Sequence, residues 1–346
     1  MVIDNLKKII ETNKQESPLY VRSLLKEVLQ LYILNFIYSS KYGSNFIFTG
    51  GTCLRICFDL PRLSEDLDFD VIDIDVFQVT TLEEDIKNYF IKDLQYKDIT
   101  TKISNNGRTI FLKFPILKDL GLSNNPSESD ILMVRIDITE RPSNIYKEEV
   151  SIKTTPDFSF IINRYSLQDL FATKICAIIQ RSFQKGDGTI NIKGRDYYDL
   201  LWFLEKTITP NFARIGDILK VYSKEEIIKL LNEKVENVNE AYIKEDLAPF
   251  LKDQSFVSNY VKRYKEIYKV LFETRVDYSI AARLANAPLY LELNALRNKY
   301  PQYERIFFEA LNNETLQRPE DMQSFLLLKA KEIGNQDLIF DLKNPH

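Results

Sequence analysis

Histidine is almost missing from this chain: its one imidazole, His346, is the last of 346 residues. Histidine dyads and triads, HExxH zinc sites and imidazole general bases are thereby excluded. Any chemistry has to run on carboxylates, lysine, arginine and bound metal. Cysteine is nearly as scarce. Cys53, Cys57 and Cys176 form an odd set with no Cys-x-x-Cys spacing, which points to idle thiols in a reducing cytoplasm rather than a disulfide or zinc framework. No apolar run approaches the ~18–20 residues of a membrane span, and the leading MVIDNLKKIIETNKQ lacks the apolar h-region of a secretory signal. The expectation is a cytoplasmic protein without a membrane partner. Repeats and low-complexity tracts are missing too.

What is present fits a folded chain: 45% of residues are apolar and 28% charged, enough for one large or two ordinary domains with real cores. The net charge of −4 hides a split. Residues 59–98 carry twelve acidic and four basic side chains, a local −8, whereas residues 170–195 carry Lys174, Arg181, Lys185, Lys193 and Arg195 against Asp187 alone. Such a pairing suits an enzyme that handles a divalent cation and a polyanion, although solvated surfaces also show it.

Hydropathy patterning predicts helices over 3–14 and 18–40. A strand follows over Phe46–Thr49, then a Gly50-Gly51 turn and a helix over Thr52–Phe58. Leu67, Phe69 and Val71 alternate with Asp66, Asp68 and Asp70, the period of a strand with one wet face. A helix is expected over 81–94. A hairpin is expected from Asp98–Ile103 and Thr109–Phe114 around Asn105-Asn106-Gly107. Ile131–Thr139 forms another strand, after a surface loop over Pro115–Asp130. From Ser166 onward helices dominate: Ser166-Leu-Gln-Asp169 is a capping-box-like start to a helix reaching about Phe183. A loop over Gln184–Gly194 leads to a second helix over Arg195–Leu204, and prolines punctuate further helices. Cys53 and Cys57, four apart, share one helix face.

The chemistry concentrates in TGGTCLRICFDLPRLSEDLDFD, Thr49–Asp70. A glycine turn between strand and helix lets backbone N–H groups approach a phosphate, with the Thr52 hydroxyl beside it. Asp66 and Asp68, two apart on a strand, point to one face and can share a divalent metal. Asp137, on another strand, completes a three-carboxylate cluster. Such a cluster on two Mg²⁺ ions activates an attacking hydroxyl and steadies a pyrophosphate leaving group. Lys174 falls with Leu167, Phe171 and Ile178 on an apolar helix stripe, so it needs a carboxylate or phosphate partner unless it snorkels to the edge. Arg181 lies roughly on the same side. Asp196 and Asp199 open the next helix. They serve as caps, or one of them pairs with Lys174 or acts as base for an acceptor hydroxyl. Tyr260, Tyr264 and Tyr268 recur every four residues among lysines and arginines, as a packing stripe or as a stacking surface for RNA.

Four motifs in order, Gly-Gly-Thr-x-Leu-Arg (50–55), Arg-x-Ser-Glu-Asp-Leu-Asp-Phe (62–69), Lys-x-x-Ala-x-x-x-Arg (174–181) and Gly-Arg-Asp-x-Tyr-Asp-Leu (194–200), resemble the AbiEii/AbiGii nucleotidyltransferase toxins of the DNA polymerase β-like superfamily. The resemblance spans roughly residues 18–205, and the helix around Leu24-Leu25-Lys26-Glu27 belongs to it. This chain has Gly-Thr where many superfamily members have Gly-Ser. The fold it implies is α+β: a polymerase β-like core with a mixed sheet (41–165), N-terminal helices packed on it (1–40), and an α-helical C-terminal domain (166–346) that completes the active site. The resemblance also implies transfer of an NMP from an NTP with Mg²⁺ (or Mn²⁺) to RNA, in relatives the 3′ end of tRNA. A cognate antitoxin protein and a phage-defence setting come with it. By motif, Asp66 and Asp68 hold metal, Gly50, Gly51, Thr52, Arg62 and Ser64 hold nucleotide, and Lys174, Arg181 and Asp196 join the site, with Asp199 and Arg195 next in line. A small-molecule or protein acceptor, and an inactive nucleotide- or RNA-binding protein, are the alternatives.

Overall fold

The computed structural model describes residues 2–72, 78–123, 129–181, 193–275, 288–313, 315–316 and 318–344. His346, Lys185, Asp187 and most of the expected loop over Gln184–Gly194 lie outside the described residues. The chain divides into two compact units: Met1–Arg141 with Glu148–Tyr165 and Lys244–Asn259, and Pro142–Lys147 with Ser166–Ile243 and Tyr260–His346.

The first unit is built on a mixed seven-stranded sheet. Its strands are β1 (Phe46–Thr49), β2 (Asp66–Val71), β3 (Thr100–Ser104), β4 (Thr109–Pro115), β5 (Ile131–Glu140), β6 (Glu148–Thr154) and β7 (Ser159–Tyr165), in spatial order β3-β4-β5-β2-β1-β7-β6. β1 lies parallel to β7 and β2 parallel to β5, and the remaining pairs are antiparallel. The hairpin β3–β4 turns where the sequence predicts, with Asn105, Asn106 and Gly107 all at positive φ.

Register separates the two faces. Leu67, Phe69, Ile136 and Ile138 point to one side, fully buried. Four helices lie wholly in this unit: α1 (Val2–Thr12), α2 (Pro18–Tyr38), α3 (Gly50–Phe58) and α4 (Val79–Asn88). α2 starts cleanly because Pro18 needs no N–H bond there and the Ser17 hydroxyl accepts from Tyr20 N–H. It covers the apolar face, with Tyr38 tilted on Phe69 at 6.4 Å between rings. α4 ends in a π-helical turn, Tyr89–Asp93, where sequence predicts an unbroken helix to 94. Phe90 in that turn meets Phe114 of β4 edge-on at 5.0 Å.

In the second unit, α5 (Leu167–Gln180) and α6 (Gly194–Glu205) pack through stacked Phe171 and Phe203 rings, 4.3 Å apart. The capping box of α5 forms with aspartate in place of glutamate: Asp169 N–H donates to Ser166 Oγ, and Asp169 Oδ2 accepts from Ser166 Oγ and Lys147 N–H. Next come α7 (Phe212–Leu219), α8 (Lys224–Asn237), α9 (Glu240–Leu247), α10 (Gln254–Lys262) and α11 (Tyr264–Arg275), of which the end of α9 and most of α10 fall in the Lys244–Asn259 stretch of the first unit. α12 (Pro288–Lys299), α13 (Glu304–Asn312), α14 (Pro319–Ile333) and α15 (Gln336–Lys343) close a separate apolar cluster around Leu293, Phe307, Met322 and Leu342.

Candidate active site

β2 and β5 run side by side with Asp66 opposite Arg135, Asp68 opposite Asp137 and Asp70 opposite Thr139. Residues two apart share a face, so these six side chains stand together on the side of the sheet opposite α2. Sequence reasoning placed the three aspartates of β2 and Asp137 there. It missed Arg135, although Arg135 and Asp137 obey the same period. Arg135 Nη2 lies 2.6 Å from Asp66 Oδ2 and its Nε 2.9 Å from Asp137 Oδ2, while Thr109 Oγ1 donates to Asp137 Oδ1 at 2.7 Å. One guanidinium thus bridges two of the carboxylates. Asp70 is the structural member of the row, buried and accepting from Thr139 Oγ1 and Tyr165 Oη, both at 2.8 Å.

The glycine pair sits against these groups. Gly50 and Gly51 are the first residues of α3, which opens two residues earlier than the sequence predicts. Gly50 has φ +76°, and a Cβ there would lie 2.8 Å from Asp68 Cγ, with a carboxylate oxygen nearer still. A Cβ on Gly51 would lie 2.7 Å from Arg62 Nη2 and 3.1 Å from Ser64 Oγ. Only glycine lets backbone, carboxylate, guanidinium and hydroxyl crowd into this space. Arg62 and Ser64 are both buried; Arg62 Nη1 donates to Leu63 O, and Gln30 Nε2 donates to Ser64 O. Leu63 N–H in turn donates to Phe250 O at 2.9 Å, which ties residues 244–259 to this loop. The Thr52 side chain is fully buried and its hydroxyl donates to Asp66 O, locking the helix start to β2. Thr49 Oγ1, buried at the end of β1, has no hydrogen-bond partner among the described residues.

These donors suit a divalent cation. Two aspartates on one strand, hard oxygen ligands beside a glycine turn, match the way Mg²⁺ is held by one or two carboxylates plus substrate phosphates. Among the described residues no three acidic, thiol or imidazole groups form a ready-made metal shell.

In the second unit, Lys174 finds the partners its apolar stripe demands. Its Nζ lies 2.9 Å from Asp196 Oδ1 and 2.8 Å from Asp199 Oδ2, so both aspartates engage it rather than one. Arg181 pairs with Asp196 Oδ2. The Asp199 side chain is fully buried and those of Asp196 and Lys174 are 5% and 13% exposed, so this is a desolvated ionic network rather than a surface pair. Gly194, at the start of α6, lets that helix approach the backbone of Ile243, where a Cβ would lie 2.6 Å away. Arg195 is half-buried beside it.

The tyrosine stripe is a packing feature. Tyr264 is fully buried and donates to Tyr197 O, Tyr268 donates to Asn232 Oδ1 at 2.6 Å, and Tyr260 rests on Tyr198 with rings 5.3 Å apart. These contacts turn the tyrosines into the helical core, away from RNA.

The family model described as nucleotidyl transferase AbiEii toxin, type IV TA system, matches residues 33–316. The chain belongs to this family. Among solved structures it is similar to MenT4, a nucleotidyltransferase toxin from Mycobacterium tuberculosis H37Rv, at 15% identity and a TM-score of 0.54, over 89% of this chain and 99% of that one. JHP933 from Helicobacter pylori aligns at 15% identity over 80% of this chain and 97% of that one, with a TM-score of 0.43. No curated protein sequence matches. Membership in the AbiEii family makes this chain a nucleotidyltransferase toxin of a type IV toxin–antitoxin system, and the MenT4 likeness shows an α+β nucleotidyltransferase fold. Among the described residues no helix is long and apolar enough to cross a membrane.

Proposed function

We propose that this AbiEii-type enzyme transfers an NMP from an NTP to a hydroxyl of RNA, with tRNA as the acceptor and Mg²⁺ or Mn²⁺ as the ion. The observation that carries the reading is the pair Asp66 and Asp68 on one sheet face, with Asp68 packed against Gly50 at the start of α3. Asp66 and Asp68 hold the cation. When bound, it neutralises the phosphates and steadies the pyrophosphate leaving group. Backbone N–H groups at Gly50 and Gly51 receive phosphate oxygens at the helix N-terminus, and Arg62 and Ser64 stiffen that turn from behind. The acceptor oxygen bonds to the α-phosphorus, and the bond from the α-phosphorus to the bridging oxygen breaks. Pyrophosphate leaves and the hydroxyl proton passes to water, with Asp137, across from Asp68, as the third carboxylate of the cluster. In the second unit, Lys174 and Arg181 with Asp196 and Asp199 form a charge-balanced buried network, the second group of residues proposed to act in the reaction.

An antitoxin protein encoded with the toxin, a role in phage defence and a cytoplasmic site of action complete the proposal. The test is incubation of purified protein with each α-phosphate-labelled NTP, Mg²⁺ and total tRNA. Label on tRNA with at least one nucleotide is expected; no transfer with any of the four sinks the reading.

A further inference from the structure

The face that carries the carboxylates is chemically lopsided. Toward β3 and β4, register puts Thr109 opposite Asp137, Phe111 opposite Arg135 and Lys113 opposite Met133, and Lys102 of β3 opposite Phe111. Each two-residue step is about 6.6 Å, so Phe111 stands one step and Lys113 two steps along β4 from the level of Asp137. Lys102 is exposed, Phe111 and Lys113 are half-buried, and Met133 and Ile131 are 39% and 42% exposed. Asp137 is the one acidic side chain on this face of β3, β4 and β5, against Lys102, Lys113 and Arg135. The opposite end differs. Val150, Ile152 and Ile161 are 60%, 76% and 57% exposed, accompanied by Glu148 and by no lysine or arginine on that face of β6 and β7.

An aromatic ring, apolar neighbours and two lysines on a sheet surface are what unstacked bases and their phosphates need. We propose that the β3–β4–β5 end of the sheet is the track for the single-stranded end of the acceptor RNA, with a base stacked on Phe111 and phosphates held by Lys102 and Lys113. The track points the RNA terminus toward Asp137 and the metal-binding pair. It rests on the nucleotidyl-transfer reading and names how that site takes its acceptor.

Fluorescence anisotropy with a labelled single-stranded RNA of about ten nucleotides tests it without NTP, using the full chain. Phe111→Leu keeps the apolar volume and removes the stacking ring; it weakens binding by about 5- to 150-fold. Lys102→Ala with Lys113→Ala flattens the slope of log K against log salt by about 1.4, at 0.7 per phosphate contact on a single strand. A merely misfolded variant would not give that slope change. Ile152→Ser, at the other end of the face, leaves both quantities unchanged. Binding by Phe111→Leu and the double lysine variant equal to wild type overturns the track, even where label transfer to tRNA succeeds. So does retention of RNA binding alongside loss of a protein partner, which would make the face a protein interface. Conversely, RNA binding that depends on Phe111, in a protein that transfers no label, upholds the track and refutes the transfer reading.

Discussion

Substituting Gly50 by alanine separates the two duties of the glycine turn. The backbone at residue 50 has φ +76°, a left-handed conformation that costs an L-residue about 1–2 kcal/mol. For a unit of this size that corresponds to a Tm lowered by about 2–8 °C. The added Cβ also meets Asp68 Cγ at 2.8 Å, where ordinary contact begins near 3.4 Å. The carboxylate therefore has to swing aside by on the order of 1 Å, a misplacement that can cost about 10²-fold in rate. Gly107 is the matched control: it has φ +82° and open space around its missing Cβ. Gly107→Ala should lose comparable stability and keep full activity. The assay is initial rate of label transfer to tRNA at a temperature well below both melting points, with melting followed by circular dichroism. Gly50→Ala with activity equal to Gly107→Ala would refute the claim that the glycine exists to seat the Asp68 carboxylate.

Three further outcomes follow from the same contacts. Lys174→Met removes one cation from the buried network it forms with Asp196 and Asp199 and should destabilise by about 3–5 kcal/mol in urea unfolding; adding Asp199→Asn should recover part of it, and no recovery would contradict the ionic account. Chelation by EDTA should abolish label transfer, with Mg²⁺ or Mn²⁺ restoring it; activity that survives exhaustive chelation would remove the cation from the mechanism. Iodoacetamide on the native protein should modify one thiol, Cys57. The hydrogen bond from Cys53 and the nearby Arg164 guanidinium hold it below the usual thiol value. Burial pushes Cys53 well up and Cys176 up to about 12. Mass spectrometry showing Cys176 modified at a similar rate would overturn that ordering.

Much of the core was legible because local rules decide it. β1, β2 and the β3–β4 hairpin fall where alternation and the Asn-Asn-Gly turn put them, and Ser166 starts α5 through its own hydroxyl. β6 and β7 were not separately resolved in the sequence, since Val150, Ile152 and Ile161 point to an exposed face and spoil the usual apolar-in signal. Residues 244–259 belong with the sheet-bearing unit through contacts such as Leu63 N–H to Phe250 O, a long-range pairing that no local pattern announces. Within the candidate site, the aspartates and Lys174 were visible as residues out of keeping with their surroundings. Arg135 was hidden inside the apolar run ILMVRIDIT, and the Thr52 hydroxyl, expected beside a phosphate, is buried and bonded to Asp66 O, a turn inward that a short helix start does not announce. The tyrosines at 260, 264 and 268 fit two readings in the sequence, packing or stacking on RNA, and the structure shows packing. Their spacing suits stacking, yet the chain changes helix at Arg263 and packs all three against neighbours.

The central claim is that Asp66 and Asp68 form the cation-binding pair of a nucleotidyl-transfer reaction. Its most direct test compares wild type with Asp66→Asn and Asp68→Asn, which keep side-chain size, for transfer of label from α-phosphate-labelled NTP to tRNA in Mg²⁺. Transfer by the wild type and its loss in both folded variants is the predicted result. Undiminished transfer by either variant would contradict it.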